Sequence, residues 1–338
     1  MVIIQSYGLA VVMCIVTMLC WGSWANTQKL ASKEWKFQLF YWDYSIGVFL
    51  LTVLLAVTMG SIGSAGRGFF ADIGQASGKY LGFALLGGVI FNIANILLVA
   101  AIDIAGLAVA FPVGIGLALV IGAVTTYRVD PTGRASVLFI GVAGVAVAIV
   151  LDALAYRRLG SSGQRASTKG MVLSIACGIL MGFFYRWVAA SMPAELSELG
   201  EPAEAGKLTP YTALVFFALG LLLSNFVFNT IGVKLITGRS EPLGDYFKKG
   251  NLRLHLIGII GGIIWSVGMS FSILAGDRAG YAISYSLGQG ATMVAAVWGI
   301  FIWKEFRAAP KGTNTLLALM FLFFIVGLAL ITVANAPT

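Results

Sequence analysis

GGVIFNIANILLVAAIDIAGLAVAFPVGIG, residues 87–116, and GGIIWSVGMSFSILAGDRAGYAISYSLGQG, residues 261–290, decide how this chain is built. Gly87-Gly88 matches Gly261-Gly262, Asp103 matches Asp277, Ala105-Gly106 matches Ala279-Gly280, Gly114 matches Gly288, and Gly116 matches Gly290. All fall at one offset of 174 residues. Coincidence does not keep that many small and turn-forming residues in a single register, so the two segments are copies of one unit. Earlier in the chain the likeness loosens, with Gly22 near Gly182 and an offset that drifts.

Each copy is an apolar run broken by one acidic turn, which reads as the end of one membrane span and the start of the next. The composition agrees. Of 338 residues, 59% are hydrophobic and 11% charged, against about 25% charged in ordinary soluble domains. Mean hydropathy is +0.92. Crossing the hydrocarbon takes about 20 apolar residues. Ten spans are expected, near residues 7–28, 38–59, 79–101, 106–126, 135–155, 170–191, 210–235, 254–276, 279–302 and 314–334. The first lacks a basic leader and is followed by further spans, so it reads as a retained helix. The expected fold is all-α: a polytopic membrane protein whose ten helices form two five-helix repeats, residues 1–156 and 170–338, joined by a short cytoplasmic linker, 157–169.

Lysine and arginine near span ends are retained on the cytoplasmic side. Odd-numbered connections hold fifteen: Lys29, Lys33, Lys36, Arg157, Arg158, Arg165, Lys169, Lys234, Arg239, Lys248, Lys249, Arg253, Lys304, Arg307 and Lys311. Even-numbered ones hold six (Arg67, Lys79, Arg128, Arg134, Lys207, Arg278), and the sixth carries Glu195, Glu198, Glu201 and Glu204. Both termini are then expected outside an inner (plasma) membrane. The net charge of +8 is accounted for by anchoring to the lipid bilayer, without a nucleic-acid partner.

Five spans per half is odd, so the second half enters the bilayer inverted. Inverted repeats supply two exchangeable shapes around a midplane site, the basis of alternating access; duplication for structure alone is the plainer alternative. Cys14, Cys20 and Cys177 lie in apolar runs without CxxC spacing and read as packing residues. His255 is the only histidine and reads as solvated or interfacial. No catalytic triad, metal site or cofactor is expected from these residues.

Polar groups within the spans are the functional candidates, because burying them in hydrocarbon is costly. Thr17, Trp21, Trp24 and Gln28 recur at helical spacing and form a stripe suited to a cavity wall or, for Trp24, to an interfacial belt. Asp43, within Tyr41-Trp42-Asp43-Tyr44, is the candidate for proton coupling; a structural ion pair with Lys29 or Lys33 is the alternative. Arg186 either orients a solute through its planar donors or snorkels to the outer surface. Asn92 and Asn95, three apart, either bind an uncharged solute or tie helices together, and Asn225 and Asn229 are open to the same two readings. On the ninth span, Tyr285 and Gln289 stand out as solute contacts beside Tyr281 and Thr292. Pro112 removes a backbone hydrogen bond in the fourth span.

These features, with the glycine-rich fourth and ninth spans, Leu208-Thr209-Pro210-Tyr211-Thr212-Ala213, and the ending Trp298-Gly299-Ile300-Phe301-Ile302-Trp303-Lys304-Glu305-Phe306-Arg307, resemble the drug/metabolite transporter superfamily. Within it the chain is most similar to the ureide permease group, near the glucose and rhamnose uptake branch. The resemblance implies import of a neutral hydrogen-bonding metabolite by proton symport, with the cavity lined by the first, third, sixth and eighth spans and their neighbours. Plant ureide permeases share a long central loop with a phosphate-loop-like stretch. Here Gly163-Gln164-Arg165-Ala166-Ser167-Thr168-Lys169 lacks the GxxxxGK[ST] order, so no nucleotide is expected.

The expected function is therefore secondary active transport, not enzymatic, of a purine-derived ureide, a nucleobase or a sugar, coupled to a proton or alternatively Na+. Trp21, Trp24 and Tyr285 would stack on the solute, Asn92, Asn95 and Gln289 would hydrogen-bond it, Arg186 would orient it and Asp43 would exchange the proton, with Gln28 also on the wall. An exporter of the same superfamily is the alternative, followed by a membrane-embedded enzyme on a lipid-linked substrate. A homodimer is left open.

Overall fold

The computed structural model describes residues 1–31, 34–63, 65–105, 107–159, 168–194, 196, 204–238 and 241–336, with side chains except at 103, 105, 107–109, 111 and 237. Lys33, Arg165, Arg239, Glu195, Glu198, Glu201, most of the linker and the Asp103 side chain lie outside the described residues. Among the described residues there is no strand. The helices are α1 (Tyr7–Ser23), α2 (Ala25–Ala31), α3 (Phe37–Val57), α4 (Phe69–Gln75), α5 (Gly78–Ala105), α6 (Leu107–Tyr127), α7 (Ala135–Arg158), α8 (Thr168–Ala190), α9 (Pro210–Val227), α10 (Val233–Thr237), α11 (Leu243–Lys249), α12 (Leu252–Ala279), α13 (Tyr281–Gly288), α14 (Ala291–Val297) and α15 (Thr313–Val333).

Nine helical segments among the described residues are long and apolar enough to cross a bilayer, and the shorter apolar stretch Pro112–Tyr127 occupies the place of the fourth expected span. Leu50, Ile140, Phe226, Leu322 and Ile325 are among the apolar side chains left exposed on their flanks. In water that surface would be untenable; against lipid it is what solvation requires, since helices satisfy their own backbone. The chain is an all-α polytopic membrane protein.

Three expected spans are not single helices. α1 passes into α2 at Trp24, α9 reaches α10 through a π-turn at Phe228–Gly232, and α13 and α14 are separated by Gln289-Gly290 before a second π-turn at Trp298–Ile302. Helix caps fix several starts: the Ser6 hydroxyl accepts from the Leu9 amide, Thr209 accepts from Thr212 with Pro210 in the first turn, and Asn251 accepts from Leu254. Each cap satisfies an amide that the first helical turn leaves without a partner.

The packing repeats itself. α5 lies against α8 and α9, as α12 lies against α1 and α3; α6 lies against α8, as α14 lies against α1; α7 pairs with α15 and α3 with α9. Exchanging first-half for second-half helices maps this set of neighbours onto itself. Glycines carry the same exchange to atomic scale. A methyl on Gly88 would overlap the Phe217 carbonyl and one on Gly220 that of Leu85; in the matching crossing, Gly262 meets the Tyr44 carbonyl and Gly47 that of Ile259. Backbones can touch this closely only where no Cβ intervenes.

Connections sort by parity. Lys29 meets Glu305 at 2.8 Å, Glu34 meets Arg253 at 3.9 Å, and Lys169 reaches the Ile236 carbonyl at 2.6 Å, joining odd-numbered connections on one face. On the other, Arg67 reaches the Lys207 carbonyl at 2.8 Å and the Tyr281 amide donates to Asp130 at 3.1 Å. The termini join this even face: Tyr211 donates to the Val2 carbonyl at 3.0 Å, and Asn335 to that of Ala279 at 3.3 Å.

Candidate functional site

Halfway along the helices, between the two sets, is a cavity of about 190 Å³. Its wall is assembled in pairs. Trp21 and Met181, and Trp24 and Phe184, stand 160 residues apart; Phe91 and Trp265, and Ile115 and Gln289, stand 174 apart; all eight line the cavity. The site thus lies where equivalent positions of the two repeats face each other. Chemistry breaks the equivalence, since one member of each pair is an indole or an amide and its counterpart is not.

Trp265 anchors the aromatic part. Its ring centroid is 5.9 Å from that of Trp21 with the planes 13° apart, 4.5 Å from Phe91 and 5.9 Å from Phe217. Trp24 leans on Tyr44 at 4.9 Å. Asn95 donates to the Tyr41 hydroxyl at 3.1 Å, which fixes the amide at the cavity edge. The indole nitrogen of Trp21 is buried without a hydrogen-bond partner. A buried donor left unsatisfied is costly; this one lies against Gly268 of α12, where a Cβ would stand 2.8 Å from it. Gln289 occupies the break between α13 and α14, where the helical ladder is interrupted.

Toward the odd face the cavity continues into a second, of about 230 Å³, which shares Gly22, Ala25, Thr292 and Ala295 with the first. Pro112, Asp152, Tyr156, Trp298, Trp303, Glu305 and Lys29 are also in its wall. Toward the even face the helices close. Tyr185 and Ser272 share a hydrogen bond of 2.8 Å, Ser272 and Ser284 one of 3.0 Å, and the fully buried Tyr285 donates to the Ala118 carbonyl at 2.9 Å.

Of the residues singled out from sequence, Trp21, Trp24, Asn95 and Gln289 come together in the central cavity. Tyr285 does not line it; its ring crosses toward α6 and α8, beside Tyr185 at 5.1 Å. Asn92 donates to Ser224 at 2.7 Å and ties α5 to α9. Asn225 ties α9 to Ser45, and Asn229 and Gln38 exchange side-chain to backbone bonds of 2.9 and 2.8 Å. Thr17 holds α1 to the Gly268 carbonyl at 2.8 Å. Arg186 is half-buried on α8 with its guanidinium 5.7 Å from the Trp187 ring, and it is two residues, about 200° of helix, from the cavity-lining Phe184. Gln28 is half-buried on α2 and is not part of either cavity wall.

Asp43 is fully buried near the odd face, apart from both cavities. Its carboxylate accepts from the Trp35 indole at 3.0 Å, faces His255 Nδ1 at 2.9 Å and accepts from the Tyr246 hydroxyl. Sequence reading placed His255 in water or at the interface and offered Lys29 or Lys33 as the partner of Asp43. The helix α11 changes this by folding Tyr246 over the imidazole, at 4.6 Å between rings. Burial, and then the Asp43 carboxylate, push the Tyr246 phenol above its ordinary value, which keeps it a donor.

Met181, Phe184, Phe91 and Trp265 went unnoticed in the sequence. The signal was there in the offsets: Phe91 and Trp265 lie in the 174-residue register, and Met181 and Phe184 flank Gly182 as Trp21 and Trp24 flank Gly22.

The chain matches the family model described as ureide permease over residues 40–166 and 153–334. The two matched segments meet at the junction between the halves. Ureide permease 1 of Arabidopsis thaliana is 23% identical, with 99% of each chain covered, and Ureide permease 2 of the same plant is 21% identical at the same coverage. A candidate sugar uptake protein of Listeria monocytogenes is 23% identical over 83% of this chain and 86% of that one. A solved crystal structure superposes with a TM-score of 0.59 at 16% identity, covering 96% of each chain, a likeness of fold.

Proposed function

The chain belongs to the ureide permease family, and from that premise we propose that it imports a small neutral polar metabolite by proton symport, a purine-derived ureide or nucleobase or else a sugar. Relatives named for ureides and for sugar uptake bracket that range. The observation that carries the reading is the central cavity, lined by paired positions of the two proposed repeats beside an interrupted helix. Discontinuous helices at a repeat interface are where secondary transporters place their solute. Aromatic faces of Trp21, Trp24 and Trp265 suit a flat heterocycle or the apolar face of a sugar, and Asn95 and Gln289 suit its polar edge.

The exchange symmetry of the packing supports two five-helix repeats, residues 1–156 and 170–338, inserted with opposite orientation and moving by alternating access. The charge count supports a cytoplasmic odd face and external termini in an inner (plasma) membrane. The conformation then opens inward, since the path from the central cavity runs to Lys29 and Glu305. Proton exchange is assigned to the Asp43–His255 pair, a buried carboxylate and a part-exposed imidazole 2.9 Å apart that bridge the second and eighth spans.

In proteoliposomes, an inward proton gradient is expected to drive accumulation of at least one labelled compound from a panel of ureides, nucleobases and sugars. Asp43→Asn is expected to bind that compound but to lose gradient-driven accumulation. Full accumulation by the variant would remove Asp43 from coupling. Absence of saturable uptake across the whole panel would defeat the transport proposal itself.

A further inference from the structure

The second cavity contains an acid that the reading above does not use. Asp152 lies on α7, its residue is only 7% exposed, it lines the cavity, and its Oδ1 is buried without a hydrogen-bond partner. One turn on, Tyr156 presents the same helix face and donates to Glu305 Oε2 at 3.0 Å, while Glu305 Oε1 receives Lys29 at 2.8 Å. The π-turn at Trp298–Ile302 brings Gly299 against this group: a Cβ there would stand 2.7 Å from the Tyr156 hydroxyl and 3.0 Å from Glu305 Oε2. Such turns recur at functional sites because they re-aim a helix without ending it.

The charge balance is uneven. Lys29 neutralises Glu305, and Tyr156 occupies its second oxygen, so Asp152 is the acid in this wall whose oxygen lacks a donor. Arg157 and Arg158, on the same helix, border a separate surface depression with Leu154 and Leu316. The helices packed along α7, α6 and α15, contribute no carboxylate, amine or guanidinium, so the charged groups around Asp152 are Glu305 and Lys29, with the Tyr156 phenol beside them. Structure does not demand the acid either, because α15, the counterpart of α7 under the exchange of halves, contains no charged residue.

We infer that Asp152 is the carboxylate of a monovalent-cation site on the inward path, taking a proton or Na+ between the central cavity and the Lys29–Glu305 pair. An unpartnered carboxylate beside a second acid in a low-dielectric wall calls for a positive charge, and a small cation entering from the odd face can supply it. This rests on the transport reading only for what the cation accompanies; the site itself is testable without any solute.

The test uses the purified full chain in nanodiscs and reads the fluorescence of the indoles, two of which, Trp298 and Trp303, share the wall with Asp152. One arm titrates Na+ against choline at fixed pH; the other titrates pH from 5 to 9 in choline alone. Wild type is expected to give a saturable change in one arm, which identifies the cation. Asp152→Asn is expected to lose that change or shift its midpoint at least tenfold, while Asp152→Glu restores it. Identical titrations of wild type and Asp152→Asn in both arms would overturn the site. So would aggregation of both Asp152 variants, which would make the residue structural. A failed uptake panel would defeat the transport reading while leaving these titrations intact.

Discussion

At the scale of single residues, the central cavity separates groups that hold the protein together from groups left for a ligand. Asn92, Asn225 and Asn229 spend their amide donors on other helices, as polar residues in membrane helices commonly do. The Trp21 indole spends its donor on nothing. Trp21→Phe keeps a ring at the wall and removes only the N–H. If a solute acceptor fills that position, the lost hydrogen bond amounts to about 0.5–1.5 kcal/mol, or about two- to tenfold in affinity. Calorimetric titration of the variant checks this, and an unchanged affinity means that the solute does not use the N–H. Asn92→Ala is expected to behave oppositely, lowering thermal stability through the lost tie between α5 and α9 with little effect on affinity. Sequence alone does not separate these two kinds of polar residue. Asn92 and Asn95 are three apart on one helix, yet one faces Ser224 and the other the cavity edge, and that depends on which helices pack beside them.

Among the elements, the spans were legible because each is an uninterrupted apolar run and hydrocarbon leaves the backbone no alternative to helix. Interruptions were less so. Gly288, Gly290 and Pro112 mark weak points, but a glycine in a membrane helix serves close packing as readily as a break. The helix parts at Gln289-Gly290, whereas Gly88 and Gly262 sit within intact helices at crossings. These two glycines supply a test of the duplication. Each meets a carbonyl, Phe217 or Tyr44, that cannot rotate away, so an added methyl must push two helices apart. Overpacking of this kind costs about 1–3 kcal/mol, and Gly88→Ala and Gly262→Ala are expected to lower the unfolding midpoint by similar amounts. Gly82→Ala, on α5 where a methyl meets nothing within 4 Å, is the contrasting substitution and is expected to leave the midpoint unchanged. Unequal losses at the two crossings would count against equivalent roles in the two halves.

For the molecule as a whole, the two-fold exchange of helices explains why a site forms at all and also why its chemistry escapes a reading of either half alone. Equivalent positions line one cavity, but Trp21 is matched by Met181 and Gln289 by Ile115, so at these two pairs the indole and the amide have aliphatic counterparts. What breaks the symmetry along the path is the pair of end layers. The even side is sealed by Tyr185, Ser272, Ser284 and Tyr285; the odd side holds the open cavity with Ala153 and Ala295 on its wall. A cysteine at either alanine should therefore react with a membrane-impermeant maleimide from the odd face and not from the even face. Right-side-out and inside-out vesicles present the two faces separately, and under the proposed orientation, odd face cytoplasmic, the inside-out preparation is the one expected to label. The native thiols interfere little, since Cys14 and Cys177 are buried and Cys20 is half-buried in the first span. Added solute is expected to protect Ala295→Cys, on the wall shared by the two cavities, more than Ala153→Cys, which lines only the odd-face cavity. Labelling from right-side-out vesicles alone would reverse the assigned orientation, and equal labelling from both would mean that the seal on the even side is not closed.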